Sequence, residues 1–217
     1  MVDKWLEKLR WLGHDSFVYE GPPVVYFDPW RLEQDSLSSA ALPTADLVLV
    51  SHDHGDHCSP DDVQRVSGPD TVILANQTAA PRLQGDVRVM RPGDEITVGE
   101  VVVQAVPAYN VNKFRSPGNP FHPQTAMHNG YVVTVGGVRI YFAGDTDQIP
   151  EMASIECDVA LLPVSGTYVM TAEEAADAAK VIQPRMAVPM HYGAGVAGTR
   201  DDADRFQSLY GGAVRIY

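Results

Sequence analysis

The sequence predicts an α/β (α+β) protein that has two β-rich halves with helices on the outside. Short apolar or alternating segments, bounded by glycine, proline and aspartate, predict strands along most of the chain. Helix-start signals occur at Ser59, Thr171 and Thr199, so the helices concentrate between the later strands. From Val138 onward the chain again runs strand, polar loop, helix and strand. These patterns together favour two sheets over a helical bundle.

Strands dominate the first half of the predicted structure. Ser59 followed by Pro60 and two aspartates predicts a helix start, and 78–83 is predicted to be a short helix. The Gly99-Glu100 pair predicts a hairpin between its flanking apolar segments. The predicted strands are Leu9–Leu12, Ser16–Tyr19, Val24–Phe27, Leu47–Val50, Val72–Ala75, Val87–Met90, Ile96–Val98 and Val101–Val106.

The regular pattern breaks between Pro107 and Asn129. This stretch contains four prolines and two histidines and has little periodicity. Loops of this length are uncommon in compact domains and are often functional. Its aromatic and histidine content favours the wall or lid of a site over a surface excursion.

The second half alternates strands with two longer helices. A capping box at Thr171 opens a helix to about Ile182, and Thr199 caps a last helix to about Leu209. The predicted strands are Gly130–Val135, Val138–Phe142, Asp158–Leu162, Met186–Met190 and Ala213–Tyr217.

Composition narrows the class of protein. The 217 residues carry a net charge of −12, which argues against nucleic acid or an anionic membrane as a partner. Two cysteines are too few for a disulfide framework. No signal peptide or membrane span is evident, so the simplest expectation is a cytoplasmic protein. The oligomeric state stays open, with a homo-oligomer among the options.

A dense group of potential metal ligands follows the apolar segment Leu47–Val50. Three of the seven histidines lie within the next stretch, Ser51–His57. Imidazole and carboxylate are usual zinc ligands, and a catalytic metal generally takes three protein ligands with one open position. Four donors in one loop therefore suggest that two metals share it. The donors are His52, His54, Asp56 and His57.

Other acids and histidines occur at the same kind of place, just beyond a predicted strand. Asp145 follows Tyr141-Phe142, and His191 follows the strand ending at Met190, while His122 and His128 lie in the long loop. A lone histidine is more often a hydrogen-bonded structural residue than a ligand. Because the ends of strands in layered sheets converge on one edge, the joint pattern favours a shared site.

The His-x-His-x-Asp-His motif after an apolar strand resembles the signature of the metallo-β-lactamase superfamily. Further matches look like its branch of small metal-dependent hydrolases, which includes ascorbate-6-phosphate lactonase. The matching segments are Gly13–Phe17, Asp28–Trp30, Ala143–Asp147, Leu162–Tyr168, Ile182–Pro184 and Pro189–Gly193. The resemblance covers nearly the whole chain. It implies a single domain over 1–217, folded as a four-layer αβ/βα sandwich of two mixed sheets flanked by helices.

The resemblance also implies a set of metal ligands. His52 and His54 would hold a first metal, while Asp56, His57 and His191 would hold a second. Asp145 would bridge the two metals.

The third histidine of the first metal site is missing from its expected place in Pro107–Asn110. Either Asn110 itself is a weak ligand, or His122 or His128 reaches in from the loop. The resemblance favours His122, in Phe121-His122-Pro123, because relatives with Ala-Tyr-Asn also carry a His-Pro pair there.

The expected chemistry is hydrolysis of an ester, lactone or phosphodiester of a small soluble substrate by a metal-bound hydroxide. Asp56 would orient or deprotonate the water. Two Zn²⁺ per chain are expected, with Mn²⁺ or Fe as alternatives. The competing functions are a nuclease or RNA-processing enzyme of the same superfamily and a di-iron redox protein.

Several further residues have both a functional and a purely structural interpretation. His14 could contact the metal ligands or the substrate, or could simply hold a turn. Asp28 could orient a ligand histidine, as outer carboxylates do, or could form an Asp-Pro turn. Arg115 and Lys113 could bind a substrate anion, although a solvated loop tip is the simpler expectation; Tyr168 could line the pocket.

Overall fold

A computed structural model of the protein describes residues 2–32 and 42–217. These residues form two six-stranded sheets, a small hairpin and four α-helices. The helices are α1 (Val2–Leu6), α2 (Pro60–Val66), α3 (Ala172–Ile182) and α4 (Arg200–Tyr210). None of the helices in the described part of the chain is long and apolar enough to cross a membrane.

The first sheet contains six strands in chain order. They are β1 (Leu9–Gly13), β2 (Ser16–Glu20), β3 (Val24–Phe27), β4 (Ala45–Val50), β5 (Ser67–Ala75) and β6 (Asp86–Val89). The pairs β1–β2 and β2–β3 are antiparallel, and the pairs from β3 to β6 are parallel. The sheet is therefore mixed, and its central strand β4 is buried between parallel neighbours.

The second sheet is also mixed. The remaining strands are β7 (Glu95–Val98), β8 (Val101–Ala108), β9 (Phe114–Ser116), β10 (Asn119–Pro120), β11 (His128–Val135), β12 (Val138–Phe142), β13 (Val159–Pro163) and β14 (Met186–Met190). Six of them form the sheet in the order β14-β13-β12-β11-β8-β7, and β9 pairs with β10 in a separate hairpin. The pairs β12–β13 and β13–β14 are parallel, and the others are antiparallel.

The core has the layers that the resemblance implied. Alternate side chains of the first sheet, such as Phe27 and Leu49, pack with Phe142 and other residues of the second sheet in one core. The opposite face of the first sheet packs Val48 and Ile73 with Val63 of α2. Helix α3 packs against β13, and α4 packs against both α3 and β14. The predicted αβ/βα arrangement of two mixed sheets with outer helices is confirmed.

Two predicted elements shrink in the structure. The expected helix at 78–83 is a single 3₁₀ turn, Ala80–Arg82, because Pro81 has no N–H to continue the hydrogen-bonded series. The expected last strand is a single bridge between Val214 and Ala187. A longer parallel ladder would need an N–H from residue 189 of β14, and this residue is a proline.

Five polar residues stand at one edge of the two sheets, each just past the end of a strand. The sheets are tied together there by the Tyr131 hydroxyl, which donates to the Val50 carbonyl (2.8 Å), and by the Asn129 N–H, which donates to the Ser51 carbonyl (3.1 Å). The polar residues are Asp28, Ser51, Asp145, Ser165 and His191, after β3, β4, β12, β13 and β14.

Candidate metal centre

Two groups of donor atoms lie side by side at this edge. In each group, one ligand atom per residue lies within 4.8 Å of the others. The first cluster comprises His52, His54, His122 and Asp145. The second cluster comprises His14, Asp56, His57 and His191. All seven of the predicted ligands therefore fall in one of the two clusters, together with His14.

Asp145 lies between the two clusters. Its Oδ2 is 3.1 Å from His122 Nε2 and 3.9 Å from His52 Nε2, both in the first cluster. Its Oδ1 is 3.2 Å from His57 Nε2 and 3.4 Å from His191 Nε2, both in the second cluster. One carboxylate thus faces both groups with different oxygens, which is the arrangement that a bridging ligand requires.

Several buried donor atoms of the centre lack a hydrogen-bond partner among the described residues. They are the Nε2 atoms of His52, His57 and His191 and the Oδ1 atom of Asp145. An unpaired buried polar atom is costly, and unpaired imidazole nitrogens that converge on carboxylates fit divalent ions. The donor set therefore fits two metals.

The orientation of His122 is determined by Asn110. The amide nitrogen of Asn110 donates to Asp147 Oδ1 (3.1 Å) and to the Tyr168 carbonyl (2.9 Å). Its Oδ1 must then face His122, where it accepts from the backbone N–H (2.8 Å) and lies 2.9 Å from Nδ1. Since this oxygen can only accept, Nδ1 carries the hydrogen. The lone pair of His122 is therefore on Nε2, the atom that lies 3.1 Å from His54 Nδ1 and faces Asp145.

The other two candidates for this position lie outside the first cluster. Asn110 turns its oxygen toward His122 and its nitrogen away from the donor atoms. The His128 ring stacks on His52 with the ring centres 4.7 Å apart, and its Nε2 is 3.9 Å from Asp53 Oδ1. Of the three alternatives that the sequence left open, His122 is the one that joins the first cluster.

A single buried carboxylate supports one histidine from each cluster. Asp28 Oδ2 lies 2.8 Å from His57 Nδ1. The same oxygen accepts from the Ser51 hydroxyl (2.5 Å), and the Ser51 oxygen lies 2.9 Å from His52 Nδ1. Both imidazoles therefore present Nε2 to the centre, as metal-binding histidines do when a carboxylate holds the other nitrogen.

We expect Asp28→Asn to weaken metal binding in both clusters by about 10- to 100-fold, because it removes the acceptor that orients His52 and His57. Competition with a chromophoric chelator measures this change. Ser51→Ala provides the matched comparison. It removes only the hydroxyl that links Asp28 to His52, so it should weaken metal binding at the first cluster alone. Equal metal affinities in Asp28→Asn and the wild type would contradict this role for Asp28.

His14 enters the centre from the turn between β1 and β2. Its Nε2 is 3.2 Å from Asp56 Oδ2, and its ring centre is 4.1 Å from that of His191. His14, Asp28 and His191 have φ values of 54°, 39° and 63°, in the left-handed region that non-glycine residues avoid. Such strain typically costs about 1–3 kcal/mol per residue and clusters at functional sites.

Burial and neighbouring charges set the protonation of the side chains in the centre. Burial alone would raise the pKa of Asp56, but the hydrogen bond with His14 and the charge of His57 hold this pKa well below its usual range. Burial likewise opposes ionisation of Asp145, and the surrounding imidazoles, His57 first, hold its pKa low. Burial and then the charge of His57 lower the pKa of His52 well below its ordinary value. Burial opposes a charge on His57, but Asp145 and Asp28 raise its pKa well above the ordinary value. Because metals bind ionised carboxylates and neutral imidazoles, a metal bound here would displace the proton of His57.

Asp15 is a fully buried carboxylate beside the second cluster. Neither of its oxygens has a hydrogen-bond partner among the described residues. It forms a further group of close donor atoms with His57 and Asp145, and its Oδ2 lies 4.0 Å from His57 Nδ1. Burial raises the pKa of Asp15 to about 7, well above its ordinary value of 3.8. Burial outweighs the attraction of the nearby His191 and His57 imidazoles, so ionised Asp15 destabilises the folded chain at alkaline pH.

We expect Asp15→Asn to stabilise the metal-free protein at pH 8 by roughly 1–3 kcal/mol, because it removes a buried charge without hydrogen bonds that the nearby imidazoles only partly offset. The folded pKa lies above the unfolded one, so the stability that protonated Asp15 contributes is lost as the pH rises through about 7. The advantage of the variant should therefore be small at pH 5 and grow toward pH 8. Thermal melts in EDTA measure it, with the exposed Asp86→Asn as control. A lower melting temperature than wild type at pH 8 would contradict this role for Asp15.

An open cavity of about 410 Å³ gives access to the centre. Asp56, Asp145, His54 and His122 contribute to its wall from the metal centre. The rest of its wall is formed by Gly55, Arg115, Phe121, Tyr168 and Val196. The segment 107–129 thus contributes Arg115, Phe121 and His122, as expected for the wall of a site.

Two residues of the centre, His14 and Asp15, go beyond the ligands that the sequence predicted. His14 was expected at most to contact the site, and Asp15 was given no role. The available signal was an acid and a histidine in the short turn Gly13–Asp15 between two apolar strands. The turn reaches the centre because the His191 N–H donates to the His14 carbonyl across the two sheets (3.2 Å).

Comparison with known proteins places the chain in a family. The model of the beta-lactamase superfamily domain matches residues 8–191. A UPF0173 metal-dependent hydrolase from Thermococcus kodakarensis is 33% identical over 223 residues, covering 96% of this chain and 94% of the relative.

Solved structures agree with this placement. A chain from Parabacteroides distasonis, described as a metal-dependent hydrolase, superposes with a TM-score of 0.78 at 34% identity, covering 96% of this chain and 91% of its own. The metallo hydrolase Igni18 from Ignicoccus hospitalis shares the fold, with a TM-score of 0.74 at 24% identity and coverage of 96% and 94%. The chain belongs to the beta-lactamase superfamily and, within it, to the UPF0173 metal-dependent hydrolases.

Proposed function

We propose that this protein is a binuclear metallohydrolase that cleaves an ester, lactone or phosphodiester bond in a small soluble substrate. One observation carries the proposal: two groups of donor atoms flank a shared carboxylate, Asp145, and several of these atoms are buried without a partner among the described residues. The names of the relatives, metal-dependent hydrolases, support the same class of chemistry. Zn²⁺ is the metal that the imidazole-rich donor set favours, with Mn²⁺ or Fe as alternatives.

Each cluster would hold one metal. His52, His54 and His122 would hold the first metal, Asp56, His57 and His191 the second, and Asp145 would bridge them. Divalent ions at such sites lower the pKa of a coordinated water toward about 7 and polarise a carbonyl or phosphoryl oxygen.

The chain's own groups would place and move the proton. Asp56 lines the cavity, and its low pKa keeps it ionised, so its carboxylate can accept a hydrogen bond from the attacking water and orient it. The hydrogen bond with His14 fixes the second carboxylate oxygen of Asp56. Tyr168 also lines the cavity, from where its hydroxyl can donate to a developing oxyanion.

The cavity suits a small substrate. Its volume of about 410 Å³ is near the lower end of the range for small-molecule sites. The net charge of −12 disfavours nucleic acid as the substrate. A cytoplasmic location and a soluble metabolite substrate remain part of the proposal.

This function is tested by activity assays of the zinc- and manganese-loaded protein. The substrates are a panel of lactones, carboxylic esters and phosphodiesters. We expect hydrolysis of at least one class, a loss of about a thousandfold after EDTA treatment, and recovery when metal is restored. Asp56→Ala should lower the rate similarly, while the exposed Asp61→Ala on α2 serves as control.

Three outcomes would overturn the proposal. The first is a wild-type rate in Asp56→Ala. The second is a rate that survives complete metal removal. The third is a substrate panel in which all three classes remain intact, and oxygen consumption by the iron-loaded protein would then favour redox chemistry.

A further inference from the structure

Two cations of the long loop, Lys113 and Arg115, have different surroundings. The Lys113 ammonium lies 2.7 Å from Glu174 Oε2 and 3.6 Å from Asp147 Oδ1. Glu174 also forms the capping box of α3 with Thr171. Lys113 therefore ties the base of the β9–β10 hairpin to α3, and its charge is neutralised there.

Arg115 instead lines the cavity over the metal centre. Its guanidinium carbon lies 5.0 Å from the centre of the Phe121 ring. The Phe121 ring packs edge-on against Tyr168, with ring centres 4.8 Å apart. Among the described residues, no carboxylate forms an ion pair with Arg115. An arginine held against an aromatic ring keeps the N–H groups along its edge available to a ligand.

Arg115 brings a positive charge to the wall of the cavity over the metal centre. The other ionisable side chains that line the cavity, apart from Tyr168, are His54, Asp56, His122 and Asp145, all from the two clusters. Arg115 is thus the one lysine or arginine among the lining residues, in a chain with a net charge of −12. Arg115 is an exposed residue of the β9–β10 hairpin that contacts the Phe121 ring and forms no ion pair with the other described residues, whereas Lys113 forms two ion pairs.

We propose that Arg115 binds an anionic group of the substrate, a carboxylate or a phosphate, that is separate from the bond being cleaved. The planar fork of arginine pairs with either anion through two parallel hydrogen bonds. The Phe121 and Tyr168 rings would pack the apolar part of the substrate beside it. This assignment rests on the proposed function and narrows its substrate class to anionic esters, lactones or phosphodiesters.

Binding of non-hydrolysable probes to the zinc-loaded full chain tests this assignment by isothermal titration calorimetry. Butyrate has a single anionic group for the metals, whereas succinate, glutarate and adipate add a second carboxylate at increasing distance. The compounds 3-phosphonopropionate and 4-phosphonobutyrate replace the second carboxylate with a phosphonate. The proteins are wild type, Arg115→Gln, Arg115→Lys and the control Arg88→Gln, which removes the same charge from the exposed strand β6.

We expect the wild type to bind at least one two-anion probe about tenfold more tightly than butyrate, the gain typical of a charge-assisted hydrogen bond. Arg115→Gln should lose this preference, Arg115→Lys should keep part of it, and Arg88→Gln should keep all of it. A larger gain with the phosphonates identifies a phosphate group, and a larger gain with the dicarboxylates identifies a carboxylate.

Two results would overturn the assignment: a wild type that prefers no two-anion probe of any length, or a preference that survives in Arg115→Gln. The hydrolase proposal is tested independently of the anion site. If the substrate panel stays intact while the preference that depends on Arg115 persists, the anion site stands and the hydrolase proposal falls. If the protein hydrolyses a substrate but shows no such preference, the hydrolase proposal stands and the anion site falls.

Discussion

Asp145→Asn is expected to lower the hydrolytic rate by about a thousandfold or more and to leave the protein with at most one tightly bound metal. Each oxygen of Asp145 faces a different cluster, so the substitution would remove a ligand from both of the proposed metals at once. Bound metals contribute several kcal/mol to catalysis, and about 4 kcal/mol corresponds to a thousandfold in rate.

Steady-state kinetics and metal quantification on the same sample measure both effects. Asp158→Asn is the comparison, since Asp158 lies half-buried just before β13 and contacts Arg139 and Arg185 rather than the clusters. Asp158→Asn should keep both metals. An Asp145→Asn protein with two metals and an unchanged rate would contradict the bridging role.

His122→Ala is expected to remove one of two metals and to lower the rate by about a hundredfold or more. The first cluster would be left with His52, His54 and Asp145, of which the last is shared. A site that loses one of its three histidines binds its metal weakly, and the second cluster would keep its full donor set. Metal quantification after dialysis against a weak chelator reads out the loss.

His128→Ala is the control for this prediction. His128 stacks on His52 but lies outside the first cluster, so its loss should leave two metals bound. If His128→Ala lost the metal while His122→Ala kept it, the assignment of the third histidine would be reversed.

Asn110 is better tested by a milder change. Asn110→Ala removes the acceptor that fixes the tautomer of His122 but leaves the histidine in place. We expect about 10- to 100-fold weaker binding of one metal, as for other residues that orient a ligand. Chelator competition separates this partial effect from the complete loss in His122→Ala, and unchanged affinity would contradict a role for Asn110.

The candidate ligands at the strand ends were predictable because each follows a local apolar pattern in the sequence. His52, Asp145 and His191 each follow an apolar segment that the structure turns into a buried strand. The two capped helices were predictable for the same reason, since the Ser59 and Thr171 side chains accept hydrogen bonds from backbone N–H groups one turn later. Such signals act over a few residues and need no knowledge of the rest of the fold.

The remainder of the centre depends on contacts between distant segments. His14 and Asp15 reach the second cluster because the first sheet packs on the second, and the Trp11 ring stacks on Tyr192 with centres 4.9 Å apart. The loop Pro107–Asn129 looked irregular, yet Asp147 accepts from the N–H groups of residues 111 and 112 and gives it a defined course. No local sequence pattern predicts the approach of this turn to the second cluster or the course of this loop.

The choice among Asn110, His122 and His128 shows where local sequence patterns stop being sufficient and contacts between distant segments decide. The family resemblance narrowed the third ligand to this loop and favoured His122. The deciding detail is the direction in which Asn110 turns its amide, which depends on the Tyr168 carbonyl from a different part of the chain. Sequence spacing alone could not give that direction.

Anomalous diffraction from crystals of the zinc-loaded protein, recorded at the zinc edge, tests the central claim most directly. We expect two peaks of anomalous density per chain, on opposite sides of the Asp145 carboxylate. One peak should lie among His52, His54 and His122, and the other among Asp56, His57 and His191. A single peak, or two peaks of which neither contacts Asp145, would contradict a binuclear centre bridged by this carboxylate.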